Sequence, residues 1–529
     1  MFIKDWTKAD IRFGLVYPNL YKIGTSSYSM RLLYFLLNSY ENIVCERIFL
    51  PEKIMFPASK DLLPIDSIYS LENGIHPKDF DILGFSLQFE NDFKNILWIL
   101  EKADIPLKVL ERRNPAMKYS TSSNMKHFPL VIGGGPVATS NPIPFCKFFD
   151  LFFIGDAEPS LEPFLTRFLS FKQESISFEE FMLTVSKIKG IYVPSLKNEV
   201  RRAVLKNLDD SLVPIIQPSV SELAENMIFL DKFLLEINRG CPYSCKFCIS
   251  SHHNHPFRNR NYENIIKAIK QASAYLTFKT IGFIGSCVSA HPRFVDICQF
   301  ILEIGKKFTI PSIRIDHLTD SLIDIFEKSE LKTITIAPET ATNSLRFGLN
   351  KKITNEQFFS ALEKIKKSKI KNIKFYFLVG LPHETSKDIE TMVEFVKEIA
   401  QMGFDKNSLR INVNPFVPKL NTPYEKATDF YISENLDFLL KKLNFIEKEL
   451  KGVRSVKLKF SSSKNLIKEA KLQTMISMGN EDIGDILTGY YSAGANFGSL
   501  RRELNDRTFS LDEYYDKIKS CYSPWKLNV

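Results

Sequence analysis

The sequence predicts an α/β chain: a doubly wound parallel sheet, then a partial barrel of six strand–helix units, then a mainly helical C-terminal region. Three observations predict it. Short β-branched or aromatic runs alternate with helical stretches through residues 11–155, the same alternation recurs six times between Leu234 and about Pro415, and after Pro423 the pattern is mainly helical. Strand-then-helix repetition demands parallel strands with right-handed crossovers. Six units are two short of a closed eight-fold barrel, so the barrel should be open.

In the first region the strand runs are IRFGLVY (11–17), IVCERIF (43–49), ILGFSL (82–87), LVIGGG (130–135) and LFFIG (151–155), with helical stretches at 26–38 and 91–103. This suggests a flavodoxin-like sheet whose ligand crevice lies at the strand carboxyl ends. We assign residues 1–171 to this domain and the polar stretch 172–230, with its short strands, to a linker. In the barrel, 231–425, the strand runs are FLLEIN (233–238), TIGFIG (280–285), SIRIDH (312–317), TITIAP (333–338), IKFYFLVG (373–380) and LRINVN (409–414). Helical patterns begin near Tyr262, Pro292, Thr319, Thr354, Ser386 and Glu434. Chemistry in parallel barrels sits at the strand carboxyl ends. The extension, 426–529, is mainly helical apart from a Lys-rich strand-like stretch, VKLKF (456–460).

A length of 529 residues provides more than one domain and ample core. Hydrophobic content of 44% and charged content of 25% are those of an ordinary soluble protein. No apolar stretch is long enough to span a membrane, and the amino terminus MFIKDWTKADIRF lacks a signal-peptide layout. A cytoplasmic location with reduced thiols is therefore expected, and Cys45, Cys146, Cys298 and Cys521 are read as packing residues. The net charge of +9 gathers in KIKKSKIKNIK (364–374) and in 441–459. Such runs read first as solvated helix faces, and RNA contact is the weaker reading.

The segment INRGCPYSCKFCISS, at the end of the first barrel strand, holds Cys241, Cys245 and Cys248 with C-x-x-x-C-x-x-C spacing. A four-iron, four-sulfur cluster wants four thiolates. Three would leave one iron open, and an open coordination position marks a catalytic rather than a structural metal site. A Cys3His zinc site using His252, His253 or His255 is the competing reading. Other strand ends carry chemistry too. Gly285 and Ser286 expose backbone after the second strand. Cys287 follows them, either as a thiol that could donate hydrogen or as a small packing residue. Glu339 follows an apolar strand and Pro338, and Arg346 lies early in the next helix. In FYFLVGLPHET the strand ends at Gly380 and Pro382, with Glu384 expected to cap the helix near Ser386. Lys419, in the loop NPFVPKLNTPYE, is the ionisable group there that could touch substrate.

The cysteine spacing, with Phe247 before the last cysteine, resembles the signature of the radical S-adenosylmethionine (radical SAM) enzymes, with a partial TIM barrel. The resemblance implies SAM on the free iron, cleaved reductively to a 5'-deoxyadenosyl radical that removes hydrogen from a substrate C–H bond. It implies that Gly285 and Ser286 bind the methionine amino group through backbone carbonyls and that Glu339 contacts the ribose or amino-acid part. Arg346 would pair with the SAM carboxylate in a forked geometry, and Val379, Gly380 and Leu381 would frame the adenine. These segments appear in family order, which zinc does not explain.

Within 11–158, the stretches LVYPNLYKIGTSSYSMRLLYFLLN and VIGGGPVATSNPIPFCKFFDLFFIGDAE resemble the cobalamin-binding-like domain fused to many radical SAM proteins. Gly133, Gly134, Gly135 and Pro136 would admit a large cofactor, and Gly155, Asp156 and Glu158 lie at the next strand end. The loop YPNLYKIG lacks the histidine of D-x-H-x-x-G, so cobalamin binding stays open. Cobalamin would imply methyl transfer. The alternatives are a tRNA methylthiotransferase-like enzyme, disfavoured because no second cysteine cluster is visible, and a non-enzymatic zinc-stabilised nucleic-acid-binding protein. The resemblance also implies an electron donor such as ferredoxin or flavodoxin. The substrate and any catalytic acid or base are not disclosed.

Overall fold

The computed structural model describes residues 4–51, 68–114, 119–120, 125–126, 128–217, 229, 231–426, 437–459, 462–520 and 522–528. Cys521 lies outside them. In the N-terminal sheet, Ile43–Leu50, Ile11–Leu20, Ile82–Ser86, Leu130–Gly134 and Leu151–Phe153 lie side by side in that order, all parallel. The order second-first-third-fourth-fifth is the flavodoxin-like one, with its crevice where the winding reverses. The second and third strands are buried along their whole length because packed side chains cover both faces of the sheet. Tyr34, Phe153 and Phe164 pack in one core cluster, and Leu83, Trp98 and Phe152 in another.

The sheet does not stop where the linker was expected. Ile191–Tyr192 pairs antiparallel with Leu151–Phe153 as a sixth strand, and the helix Phe178–Val185 precedes it.

The barrel consists of two parallel sheets. Lys232–Glu236, Thr280–Ile284 and Lys307–Thr309 form one, and Thr333–Glu339, Asn372–Val379, Leu409–Pro415 and Val456–Leu458 the other. Two expectations are corrected here. The third strand is Lys307–Thr309, and SIRIDH is not a strand: it holds a short 3-10 turn, Ile315–His317. Pro311 is the reason, since it has no N–H for a ladder and redirects the backbone. The chain then crosses toward the second sheet, where the Ile313 N–H donates to the Thr335 carbonyl at 2.9 Å. The other correction adds a seventh parallel strand, Val456–Leu458, drawn from the stretch expected to lie in the extension.

Burial along Asn372–Val379 alternates strictly, placing Ile373, Phe375, Phe377 and Val379 against the helices and Lys374 and Tyr376 toward the bore. Helix starts follow the sequence closely: Thr319, Thr354 and Thr385 are N-caps, the last two in capping boxes with Gln357 and Asp388.

The C-terminal helices, among them Ser463–Ser477 and Glu481–Ser492, reach back to the first domain. Asn141 Nδ2 donates to the Gly479 carbonyl at 2.8 Å, and Trp525 Nε1 to the Thr139 carbonyl at 3.3 Å. No helix among the described residues is long and apolar enough to cross a membrane.

Candidate functional site

The first barrel strand ends in Asn238–Arg239, which pairs antiparallel with Arg258–Asn259 and so fixes both ends of the cysteine loop. Gly240 opens the loop at φ +79°, where a Cβ would collide with the Asn254 carbonyl. Only glycine fits that turn. Beyond it, Cys241, Cys245, Cys248 and Phe247 line a cavity of about 170 Å³, shared with Ser286, Cys287, Arg314, Glu339 and Lys351.

Burial raises the Cys241 thiol pKa and pushes that of Cys245 up to about 11. A bound metal reverses this, since coordination deprotonates a thiol outright. Among the described residues, no three Cys, His, Asp or Glu side chains are grouped to hold a single ion. His252 Nε2 bonds the Cys245 carbonyl at 3.0 Å, and the buried His253 Nε2 bonds the Leu420 carbonyl at 2.9 Å. Two of the three histidines offered to zinc are thus engaged with backbone carbonyls and the third, His255, is exposed and lines no part of the cavity, while three thiols on one cavity suit a larger inorganic core.

At the second strand end, a Cβ on Gly285 would overlap the Asn238 side chain. Asn238 is fully buried; its Nδ2 donates to the Cys287 carbonyl at 2.9 Å and its Oδ1 has no partner. Glu339 stands at φ +66°, a strained position for a side chain of this kind, and receives Lys351 Nζ at 3.0 Å. Cys287 is 4% exposed and faces the same cavity, with its thiol pushed up to about 11 by burial.

Arg346 does not reach this cavity. Its guanidinium is fully buried and donates to the carbonyls of Pro338, Thr340 and Ile353 and to Asn343 and Asn355, at 2.7–3.3 Å. A fork saturated by backbone cannot also hold a carboxylate, so the pairing expected of it is corrected: Lys351 and Arg314 are the cations on the cavity. Arg346→Ala, which strands three buried carbonyls, is expected to lower stability by about 3 kcal/mol in urea unfolding. Unchanged stability would return the residue to ligand binding.

Val379, Gly380 and Leu381 are buried and line neither this cavity nor the larger one described next. Glu384 is not the helix cap, a role taken by Thr385; it accepts the Gly380 N–H at 2.9 Å and Lys442 Nζ at 2.6 Å, holding the turn at φ +79°. Lys419 is paired with Glu90 instead of facing either cavity.

The larger cavity, of about 630 Å³, lies between the carboxyl ends of the N-terminal strands and the barrel. Gly133, Gly134, Gly135, Tyr28, Ser29 and Asn238 are in its wall, and Ser286 lines both cavities. The glycines have packing reasons of their own. A Cβ on Gly133 would press on the Phe152 ring at 2.8 Å, and Gly135, at φ +110°, would meet the Leu87 carbonyl at 2.8 Å.

At the rim, Arg239 donates to Asp156 at 3.0 Å and to Glu158 and Glu236 at 2.9 Å, while Arg258 reaches Asp156 at 2.6 Å. Burial alone would raise the Asp156 and Glu158 pKa values; Arg239, joined at Asp156 by Arg258, overcomes it and holds both below the usual carboxylate range.

Sequence reasoning missed Tyr243, Arg314, His317 and Lys351. Tyr243 Oη meets His317 Nε2 at 2.5 Å, His317 Nδ1 meets Ser289 Oγ at 2.7 Å, and Arg314 stacks 3.6 Å from the Tyr243 ring centre. Arg314 and His317 were hidden inside the misread strand. Tyr243 lay within the motif itself, the one available signal.

Comparison with known proteins agrees with this geometry. Residues 29–194 match the N-terminal domain of radical SAM proteins and residues 235–396 the radical SAM superfamily. The chain is 28% identical to an uncharacterized protein of Methanocaldococcus jannaschii over 96% of both chains. It is 25% identical to the tRNA-2-methylthio-N(6)-dimethylallyladenosine synthase of Bacillus cytotoxicus over 49% of this chain and 50% of that one. In fold it is similar to the radical SAM methyltransferase TsrM of Kitasatospora setae, solved with cobalamin and a [4Fe-4S] cluster bound: TM-score 0.51, 10% identity, 96% of this chain and 99% of that one. With three thiols on one cavity at the barrel's carboxyl face and both domain matches in order, the chain belongs to the radical SAM superfamily.

Proposed function

We propose that Cys241, Cys245 and Cys248 hold the cluster of this radical SAM enzyme and that SAM lies beside them between Ser286 and the Glu339–Lys351 pair. The observation that carries this is the shared cavity, which gathers residues from the first, second and fourth strands. The cluster and SAM, when bound, supply reductive cleavage to a 5'-deoxyadenosyl radical. The chain's own residues position and shield. Asn238 and Gly285 keep the second strand end open to an amino group, and Lys351 orients Glu339 from within the wall. The interdomain cavity meets the cysteine cavity at Ser286, the residue common to both spaces.

The carboxylate of Glu339 is expected to touch SAM and not iron. Glu339→Ala should therefore weaken SAM binding about tenfold while leaving iron content intact. Equilibrium dialysis with labelled SAM and iron analysis on the anaerobic protein decide it, and SAM bound normally by the variant removes Glu339 from the site. The reduced wild-type protein should release 5'-deoxyadenosine and methionine, and its failure to do so would end the proposal.

TsrM was solved with cobalamin bound. Among the described residues no histidine lines the interdomain cavity, so those lining residues would offer a corrinoid no imidazole. Methylthiolation, the reaction named for the Bacillus relative, gains no support from the fold. Outside the triplet and Cys287, the described cysteines Cys45, Cys146 and Cys298 are scattered and form no second cluster.

A further inference from the structure

The barrel bore holds a third cavity, of about 650 Å³, toward the amino ends of the strands. Its wall is basic: Lys232, Lys307, Lys332, Lys374 and Arg410 face it, and among the described residues Glu330 is its one carboxylate. Lys307 takes that carboxylate at 2.6 Å. Strand register places the other charges in rows. Lys374 lies directly beside Arg410, and Arg410 beside Lys457; across the first sheet, Lys232 and Lys307 flank Thr280.

Like charges side by side on adjacent strands destabilise a sheet. Among the described residues neither Lys374 nor Arg410 forms an ion pair with a carboxylate; Lys374 lies 5.0 Å from the Tyr376 ring and Lys232 5.1 Å from that of Phe229. In a closed barrel these inward positions would be filled by aliphatic side chains. Here unpaired cations take their place, alongside the hydroxyls of Thr280, Thr309, Thr333 and Thr335. Five cations with hydroxyl donors, against the one described carboxylate of Glu330, make a site for a multiply charged oxyanion.

The bore also lies close to the cysteine cavity. Thr335 lines the basic cavity and Ala337, two residues further on the same strand, lines the cysteine cavity, a step of about 7 Å. We propose that Lys374 and Arg410, with Lys232 and Lys332 around them, form a phosphate subsite for a small phosphate or pyrophosphate ester. The carbon skeleton of such an ester extends up the bore to the cysteine cavity. The anion site rests on the bore alone, and its role for substrate rests on the radical reading above. A volume of this size suits a small ligand.

The test titrates inorganic pyrophosphate into the full-length protein by calorimetry at two salt concentrations. Binding should weaken as salt rises. In the Lys374→Gln/Arg410→Gln protein it should fall about tenfold or more, and the ligand-free thermal midpoint should hold or rise, because a repulsion has been removed. Each single variant is measured as well, so that a poorly folded double variant does not decide the matter. Lys371→Gln, an exposed lysine of the same basic segment, should bind as wild type does. No pyrophosphate binding at millimolar concentration, or equal binding by the Gln variants, overturns the proposal. So does an RNA oligonucleotide that binds where pyrophosphate does not, since that would make the face a nucleic-acid surface. Protein that cleaves SAM but binds no pyrophosphate loses only this inference. Protein that binds pyrophosphate but never cleaves SAM keeps the anion site and loses the radical reading.

Discussion

Replacing Cys241, Cys245 and Cys248 together with alanine is expected to reduce the anaerobically reconstituted protein from about four irons and four sulfides per chain to none. The brown colour and the conversion of SAM to 5'-deoxyadenosine should go with them. The fold should survive, because the three side chains line a cavity rather than the aliphatic core; only Cys245, at 8% exposure, is buried. Gly240 and the Asn238–Arg239 pairing set the path of the loop, and alanine leaves both in place. Circular dichroism and thermal unfolding of the iron-free proteins should therefore nearly coincide. Iron retained by the triple variant would place the cluster elsewhere and sink the assignment.

The second large effect lies at the junction of the two domains. Arg239→Ala is expected to lower stability by about 3–5 kcal/mol at neutral pH, because it leaves Asp156, Glu158 and Glu236 as buried carboxylates without their main partner. The sign of the pH dependence follows from the native pKa values of Asp156 and Glu158, which lie below the ordinary ones. A depressed carboxylate contributes stability that is fully present above the unfolded value, near 4, and is lost as pH falls through the folded value. The wild-type advantage over the variant should thus be largest near pH 7 and shrink as the solution is acidified below about pH 4. Arg239→Lys should recover only part of the loss, since an ammonium keeps the charge but not the fork that reaches three carboxylates. Iron content should fall in the alanine variant as well, because Cys241 follows two residues later on the same turn. A stability loss independent of pH would show that packing, and not charge, is what Arg239 contributes.

Local chemistry was legible in the sequence wherever it depends on near neighbours. The cysteine triplet, the helix starts near Thr319, Thr354 and Ser386, the five N-terminal strands and five of the six predicted barrel strands follow from spacing, capping and period-two burial, which act within a few residues, although the cap before Ser386 is Thr385 and not Glu384. SIRIDH misled because its alternation of apolar and charged residues is that of a strand, while Pro311 and the crossing to Thr335 removed its ladder partners. Arg346 misled in the opposite way. Its position after the strand suited a ligand, but only the folded chain shows three carbonyls converging on its guanidinium. Tertiary structure likewise decided that Lys351 and Arg314 face the thiols, that Arg239 ties the cysteine loop to Asp156 and Glu158, and that Lys374 and Arg410 lie side by side in the bore. The physical reason is common to all three. Burial and electrostatic partnership are set by residues tens to hundreds of positions apart, and strand register, domain docking and backbone saturation choose among side chains that composition and spacing leave equivalent.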